Sequence, residues 1–198
     1  IRNFGNEADS KIQNLALEIF KDQGLYEKFK EIETKNLDEE SKTFYRDLEI
    51  DFKDAGHGLS GEKKDRLTEI EKKLIDLSIS FSENIAKDKT EVMFLEDELK
   101  GLSKNELKNL KKNNDSFVIT MAYPDINAVM ENCSVRTTRE IVWKAFNNRA
   151  VKENSPILEE AVQLRNEKAL LFGFKTWAEY RLQNRMAKSP KNVASMYE

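Results

Sequence analysis

The sequence is poor in the residues that interrupt helices and in those that build disulfide or metal sites. Its 198 residues include seven glycines and three prolines, whereas average composition would give roughly two dozen of these residues together. This scarcity favours long helices. The one cysteine, Cys133, excludes an internal disulfide, and no segment has the pattern of a signal peptide or a membrane span. We therefore expect a reducing compartment, the cytosol, with an organelle such as the mitochondrion left open.

Charge of one sign is not in excess either. Lys and Arg number 33 and Asp and Glu number 36, which gives a net charge of −3. The chain therefore lacks the concentrated positive charge that phosphate backbones attract. With 39% hydrophobic and 35% charged residues, it is too apolar to be disordered and too polar to be a membrane protein. We expect a soluble, monomeric, amphipathic helical protein that binds neither nucleic acid nor membranes.

The patterns of common catalytic centres are missing as well. A zinc site on a helix needs two histidines one turn apart, and a di-iron bundle needs paired Glu-x-x-His motifs, but the chain has one histidine, His57. It lies between Gly56 and Gly58, which favours a solvated loop residue over a ligand. Cys133 is expected to be a small buried residue, because no local feature would activate its thiol. Nucleotide-binding and serine-hydrolase motifs are absent too, so we predict no catalytic, cofactor-binding or metal-binding residue.

Clusters of carboxylates are the next candidates for chemistry. Paired carboxylates can bind cations or act as acid and base, but charge at this density is typical of a solvated helix face. We expect a solvated helix face at both clusters in preference to a cation site or an acid–base pair. The first cluster comprises Glu96, Asp97 and Glu98, and the second comprises Glu159 and Glu160.

Two arginines and three large side chains stand among apolar residues. A buried guanidinium needs a carboxylate or a group of carbonyls, so we expect interhelical ion pairs for Arg149 and Arg165 in preference to substrate contacts. Trp177, Tyr180 and Met186 are expected to be core anchors rather than a ligand cage.

Apolar spacing predicts long helices over residues 1–88. Gly24 is placed to end the first helix, and a short second helix follows. Gly56 and Gly58 separate the third helix from a fourth of about seven turns, and the short connection predicts an antiparallel hairpin. The stripes expected to be buried comprise Ile12, Leu15, Ala16, Ile19 and Phe20; Leu25, Phe29 and Ile32; Leu37, Ser41, Phe44, Leu48, Phe52 and Ala55; and Leu67, Ile70, Leu74, Leu77, Phe81 and Ile85.

The pattern changes in residues 89–122. Residues 91–95 and 116–121 are short, rich in β-branched and aromatic side chains and bounded by polar residues, which predicts two strands. Between them, Ser103 and Glu106 have the spacing of a capping box for a short helix from Asn105 to Lys112. We expect a two-stranded ribbon packed on helices, because such a ribbon is marginal alone.

Residues 123–198 are predicted to form successive helices. Pro124 marks the start of one of them, and Gly173 is suited to a left-handed helix end. The later starts are signalled by four pairs: Thr137 with Glu140, Ser155 with Pro156, Thr176 with Glu179, and Ser189 with Pro190.

Both ends of the sequence suggest a piece of a longer protein. It begins at Ile1 rather than methionine, and it stops at Glu198, about two turns after the helix start at Ser189. We interpret the chain as one mostly helical region, truncated at its end. It would have long helices in 1–88, a small ribbon in 89–122 and helices in 123–198.

The order of several motifs resembles one protein family. Residues 123–130 follow Tyr-Pro-x-x-x-x-Val-Met, and residues 138–149 follow Thr-Arg-Glu-x-x-x-x-Ala-Phe-x-x-Arg. Residues 154–173 follow Asn-x-x-Ile-Leu-x-x-x-Val-x-Leu-Arg-x-x-Lys-Ala-x-Leu-x-Gly, and Met-Ala-Lys-Ser-Pro fills 186–190. Earlier pieces agree, namely Asp51-Phe52-x-x-Ala55-Gly56 with Leu59, Leu77-x-x-x-Phe81-x-x-Asn84, and Glu98-Leu99-x-Gly101-Leu102. From about Phe44 to Glu198 the chain resembles the thimet oligopeptidase, neurolysin and oligopeptidase A family of zinc metallopeptidases, in the part that precedes their catalytic region.

The resemblance implies both a fold and a role. The fold would be mainly α, a helical hairpin plus a helical bundle with a small two-stranded β-ribbon, within the N-terminal half of a two-domain channel peptidase. The full-length enzyme would use zinc to hydrolyse short peptides, and this chain would form one wall of the substrate channel. The family's HExxH motif is absent from these residues. The resemblance therefore carries over no catalytic or zinc-binding residue, and we expect the chain alone to bind no zinc and to be inactive.

A second interpretation stays open, a stand-alone helical interaction or scaffold module without catalytic activity. A third, an independent metal or thiol enzyme, would have to use His57 or Cys133. Under the first interpretation we expect exposed apolar surface where the missing half would dock.

Overall fold

The computed structural model describes residues 2–198, with side chains from Phe4 onward. The chain is 69% helical, with a small three-stranded antiparallel sheet, as the mainly α prediction requires. It divides into two compact units, which are described separately. Unit 1 comprises the residues up to Ser80 and Ile157–Glu198, and unit 2 comprises Phe81–Pro156. No helix in the described part of the chain is long and apolar enough to cross a membrane.

Helices α1 to α4 follow one another through the first part of the chain. Their bounds are α1 Arg2–Lys21, α2 Gln23–Lys30, α3 Glu39–Asp54 and α4 Gly61–Lys87. The long fourth helix matches the predicted seven turns. The prediction that Gly24 ends the first helix is wrong, because Gly24 lies inside α2. The break falls at Asp22, whose side chain accepts a 2.6 Å hydrogen bond from the Leu25 amide and so caps α2.

The predicted stripes differ in how deeply they are buried. On α4, Leu67 and Ile70 are fully buried in unit 1. On α1, by contrast, Ile12 and Leu15 remain 66% and 55% exposed. The helix predicted from the first stripe is therefore confirmed, but the predicted burial of Ile12 and Leu15 is wrong.

Unit 2 contains the sheet and the helices around it. Its elements after α4 are β1 Glu91–Phe94, a 3₁₀ turn Glu96–Leu99, α5 Lys104–Asn109, β2 Lys111–Asn113, β3 Ser116–Thr120, α6 Tyr123–Asn132 and α7 Arg136–Asn147. The strand order is β1-β3-β2, with both pairs antiparallel. The prediction of two strands is corrected to three, and the short helix ends at Asn109 rather than Lys112.

A tight turn explains the third strand. Asn113 pairs with Ser116 across the two residues Asn114 and Asp115, and Asn114 has a positive φ of 53°. Asparagine tolerates this left-handed conformation, which two-residue hairpin turns require. The following α6 starts as predicted around Pro124, and Asp125 accepts hydrogen bonds from the Thr120 amide and hydroxyl.

The core of unit 2 lies between the sheet and the helices α6 and α7. Each of its members is less than a tenth exposed, and the list comprises Phe94, Leu99, Leu110, Phe117, Ile119, Met121, Ile126, Val129, Cys133 and Val142. Cys133 is therefore buried, as expected for a small core residue.

Two of the four predicted helix starts in the last third are displaced. Helix α7 begins at Arg136 with Val135 as its cap, one residue ahead of Thr137. Helix α8 spans Val151–Leu171, so Ser155 and Pro156 lie inside it and do not begin it. Ser155 instead donates a 2.7 Å hydrogen bond to the carbonyl of Val151.

The other two predicted starts are confirmed, and both lie in unit 1. Thr176 caps α9 Trp177–Leu182, and Ser189 caps α10 Pro190–Ser195. Gly173, just after α8, has a positive φ of 82°, as predicted for a left-handed helix end.

Candidate functional site

His57 is buried in unit 1 and does not lie in solvent. It is 7% exposed, its ring stacks on Tyr26 with centroids 4.1 Å apart, and Nε2 lies 2.8 Å from the carbonyl oxygen of Phe20. The prediction of a solvated loop residue is therefore wrong. Rings from α2 and α3 cover the imidazole, since Tyr26 stacks on it and Phe52 contacts it edge-on.

A pocket of about 360 Å³ opens beside this turn, and we call it the Asp54 pocket. Its walls combine apolar side chains with Asp54, His57 and Tyr180. Tyr180 donates a hydrogen bond to the Asp54 carboxylate. An apolar pocket with a few convergent polar groups is the usual form of a small-ligand site.

Burial shifts the titration of both hydrogen-bonded groups. Loss of solvation raises the pKa of the Asp54 carboxyl above its usual range, although the hydrogen bond from Tyr180 and the charges of Lys168 and Arg181 oppose this shift. Burial and the negative charge of Asp54 also raise the pKa of the Tyr180 hydroxyl, which stays protonated. The pair can therefore hold a proton or a polar ligand group in apolar surroundings.

Aromatic rings fix the position of Tyr180. Phe172 stacks on its ring with centroids 5.4 Å apart, and Phe174 and Trp177 contact it at 5.5 Å and 5.2 Å. Tyr180 is 2% exposed, which confirms it as a core anchor. Met186 is fully exposed, so its expected place in the core is wrong.

A second buried charged group in unit 1 is a carboxylate between two lysines. Glu71 is 7% exposed, and its Oε1 accepts a 2.8 Å hydrogen bond from Lys168. Its Oε2 lies 3.0 Å from Nζ of Lys21, which donates a hydrogen bond to Thr68. The cluster joins α1, α4 and α8 through ion pairs of one carboxylate with two ammonium groups, so its contacts account for it as a structural feature.

Unit 2 has a cleft of about 500 Å³ beside Asp88 and Arg149. Asp88 accepts hydrogen bonds from the amides of Thr90 (2.8 Å) and Ala150 (2.9 Å). Partial burial favours a higher pKa for Asp88, but these hydrogen bonds and the nearby charge of Arg149 outweigh it and lower the pKa. The Asp88 carboxylate is therefore held charged and is already engaged with main-chain groups.

Arg149 does not make the interhelical ion pair that the sequence predicts. Its Nε donates to the carbonyl of Phe146 at 2.9 Å, and the guanidinium carbon lies 3.7 Å from the centre of the Phe146 ring. A further contact reaches the carbonyl of Met121 at 3.4 Å. Carbonyls and a ring face therefore satisfy this cation. Arg165 is exposed on α8 and needs no such partner, so the prediction for it is wrong too.

The predicted carboxylate clusters are exposed. Glu96, Asp97 and Glu98 occupy the 3₁₀ turn, and Glu159 and Glu160 lie on the surface of α8. Over residues 2–198, no three His, Cys, Asp or Glu side chains are grouped so as to hold a metal ion. The Asp54 pocket is thus the candidate ligand site that combines enclosure, apolar walls and a titratable pair.

Sequence comparisons relate the chain to a group of peptidases. The profile of peptidase family M3 matches residues 129–198. The thimet-like oligopeptidase of Dictyostelium discoideum is 34% identical across the whole chain, which covers 31% of that relative. Saccharolysin of Saccharomyces cerevisiae is 30% identical over 98% of the chain and 29% of its own length. Oligopeptidase A of Haemophilus influenzae is 34% identical over 72% of the chain and 23% of its own length. The chain thus spans about a third or less of these relatives.

Proposed function

The chain belongs to peptidase family M3, and from this premise we propose that it is part of a zinc-dependent metalloendopeptidase that hydrolyses short peptides. The observation that carries the proposal is the alignment of the whole chain with relatives whose names are those of oligopeptidases. We propose the cytosol as its location, and short peptides as its partners.

We propose further that these residues form a wall of the substrate channel and supply none of the zinc ligands. The residues from 2 to 198 do not fit a zinc centre, because no suitable group of ligating side chains occurs among them. A scaffold role therefore suits their chemistry better than a catalytic one. The Asp54 pocket is not needed for the hydrolytic step in this proposal.

Exposed apolar side chains support the proposal that the chain is part of a larger protein. Phe4 is 78% exposed, and Ile12 and Leu15 on the same helix are more than half exposed. On α8, Leu158 and Val162 lie one turn apart and are 52% and 56% exposed. Apolar side chains exposed side by side on a helix are often covered by other protein.

The test is an assay of the protein encoded by the complete gene. We expect it to cleave internally quenched short peptides and to leave a folded protein intact. It should lose this activity in the presence of a chelator and regain it when zinc is added. The 198-residue chain, expressed alone, should cleave none of these peptides.

Two results would overturn the proposal. One is peptide cleavage by the 198-residue chain alone, abolished by His57→Ala or Cys133→Ser. The other is a gene product that has no peptidase activity and no zinc, together with a specific protein ligand for the chain, which would establish the scaffold module instead.

A further inference from the structure

Unit 2 carries a second groove, about 420 Å³ in volume, which we call the lysine groove. Lys104 and Lys108 line it from α5, Lys112 lines it from β2, and Glu96 lines it from the 3₁₀ turn. Lys104 and Lys108 are one helical turn apart, so their side chains project from the same face of α5. Three lysines therefore line one small groove.

The charge of these lysines is compensated only in part within the described residues, because Glu96 is the one carboxylate residue among those that line the groove. None of the three makes an ion pair with a carboxylate of residues 4–198, whereas the neighbouring Lys111 approaches Glu91 at 3.9 Å. Glu106, the acidic residue of α5, is already bonded to Ser103 and Asn132 at 2.6 Å each. With three lysines against Glu96, the groove has an excess of positive charge, although the whole chain has a net charge of −3.

The floor of the groove is apolar. Leu107, Leu110 and Phe117 line it, and Nζ of Lys112 lies 4.7 Å from the centre of the Phe117 ring. Leu110 and Phe117 also belong to the core of unit 2, so the floor is rigid. A ligand that fits must present anionic groups to the lysines and an apolar group to this floor.

The strand that carries Lys112 is at the edge of the sheet. In the described part of the chain β2 pairs with β3 alone, so its other side has main-chain groups free of strand pairing. Edge strands of this type can accept an extended peptide through main-chain hydrogen bonds. A nucleic acid has no equivalent backbone, which makes a polypeptide the better match.

From these observations we propose that the lysine groove binds an acidic peptide segment, whose carboxylates contact Lys104, Lys108 and Lys112 and whose apolar side chain lies on Leu107 and Phe117. The proposal does not depend on the peptidase function, because the groove lies in a unit to which no catalytic group is assigned. Lysine ammonium groups suit such single-point carboxylate contacts, each of which contributes modestly at an exposed surface.

The test uses a fluorescent peptide of about eight residues, rich in glutamate and containing two leucines, which spans roughly 26 Å when extended. Its binding to the 198-residue chain is followed by fluorescence anisotropy. We expect Lys104→Gln, Lys108→Gln and Lys112→Gln together to weaken binding about tenfold or more, since all three carboxylate contacts are lost. Binding should also weaken on raising salt from about 0.05 to 0.5 M, because exposed charges are screened.

The matched control is the triple variant Lys63→Gln, Lys72→Gln and Lys152→Gln, which changes the net charge equally at exposed helical sites. It should bind the peptide as the wild type does. Replacing the two leucines of the peptide by serine should weaken binding, and a glutamine version of the peptide should not bind.

Several outcomes would overturn the proposal. They are no binding of the peptide to the wild-type chain, an equal loss in both triple variants, or no effect of the leucines. Tighter binding of a single-stranded oligonucleotide or of anionic vesicles would assign the groove to another class of ligand. If the groove variant keeps its affinity for the peptide but self-associates, the lysines protect the edge strand β2 and do not bind a ligand. Circular dichroism of each variant checks that the fold is retained.

Discussion

The main-chain N–H of Ala150 donates a 2.9 Å hydrogen bond to the carboxylate of Asp88, and Ala150 has a positive φ of 51°. A non-glycine residue in this conformation costs about 1 kcal/mol and persists where its surroundings fix it. Asp88 directly follows α4, and Ala150 lies between α7 and α8. A side chain at the end of one helix thus fixes the corner between two others in unit 2.

We therefore expect Asp88→Ala to lower the free energy of unfolding by about 1–2 kcal/mol, because the Ala150 amide loses its acceptor. Urea denaturation of the 198-residue chain measures this. Asp47→Ala, which removes an exposed carboxylate of α3, is the control and should change stability by less than about 0.5 kcal/mol. Equal losses in the two variants would contradict the role of Asp88.

The corner also shows what the sequence could not reveal. Ser155 and Pro156 form a typical helix start, but α8 begins at Val151, directly after the turn at Ala150. Pro156 lies inside α8, where it cannot donate the usual main-chain hydrogen bond. The hydrogen bond from Ala150 to Asp88 joins residues far apart in sequence. No local pattern marks such a contact, so the start of α8 could not be placed from capping signals alone.

Local signals succeeded where the contacts they need are also local. The capping box of Ser103 and Glu106 forms as predicted, with Glu106 accepting from the Ser103 amide at 2.6 Å. The bounds of α4 follow its apolar period. The stripe of α1 has the same kind of period but is exposed. Periodicity indicates a helix with an apolar face, but it does not indicate whether another surface covers that face.

The Glu71 cluster leads to a second prediction. Glu71→Leu should destabilise unit 1 by about 3 kcal/mol, because it leaves the partly buried ammonium groups of Lys21 and Lys168 without a counter-charge. The triple variant Lys21→Met, Glu71→Leu and Lys168→Met should recover most of that loss, since a well-packed apolar set often replaces a buried ion cluster at little cost. Thermal unfolding followed by circular dichroism compares the two.

If Glu71→Leu alone were as stable as the wild type, the ion pairs of Glu71 would contribute nothing to the stability of unit 1. A triple variant less stable than Glu71→Leu would show instead that the three side chains cannot be repacked.

Asp54 gives a prediction about pH. Because burial raises its pKa in the folded chain, the folded state binds the proton more tightly than the unfolded state. The stability from this proton is fully present below the unfolded pKa of about 4 and is lost as pH rises through the folded value. Asp54→Asn keeps an acceptor for Tyr180 without the charge, so it should melt higher than the wild type near neutral pH.

The difference in melting temperature between Asp54→Asn and the wild type should shrink as pH falls through the raised folded pKa of Asp54, and it should vanish below about 4, where Asp54 is protonated in both states. Asp47→Asn is the control, because Asp47 lies two turns earlier on α3, is exposed and is not among the charges that shift the Asp54 pKa. Its difference from the wild type should not change in this direction. A difference for Asp54→Asn that stays constant with pH would exclude the proposed titration.

The candidate site itself was only partly predictable. The sequence placed Tyr180 in the core correctly, because its spacing from the cap at Thr176 fixes its face of α9. The sequence gave no sign of the contact between Tyr180 and Asp54, because the two residues lie far apart along the chain, on α9 and α3. His57 was misjudged because two flanking glycines indicate a turn, whereas burial of that turn depends on the rings of Tyr26 and Phe52 packed over it.

Gly101 supports the last prediction, and Gly58 is its matched control. Both have a positive φ, 105° and 97°. A Cβ at Gly101 would lie 2.1 Å from the carbonyl oxygen of Asn132 and 2.9 Å from the amide nitrogen of Ser134, both main-chain atoms that cannot move independently. A Cβ at Gly58 would meet nothing within 4 Å.

Gly58→Ala should therefore cost about 1 kcal/mol, for the left-handed backbone alone. Gly101→Ala carries the same backbone cost and a steric one, so it should cost about 3 kcal/mol or more. It would also disturb the 2.7 Å hydrogen bond from the Ser134 amide to the carbonyl of Lys100, which joins the segment before α5 to the end of α6. Urea denaturation of both variants separates the two contributions. Equal losses in the two variants would mean that the chain around Ser134 moves to make room for the methyl group. The close approach of main-chain atoms would then not be the reason for glycine at position 101.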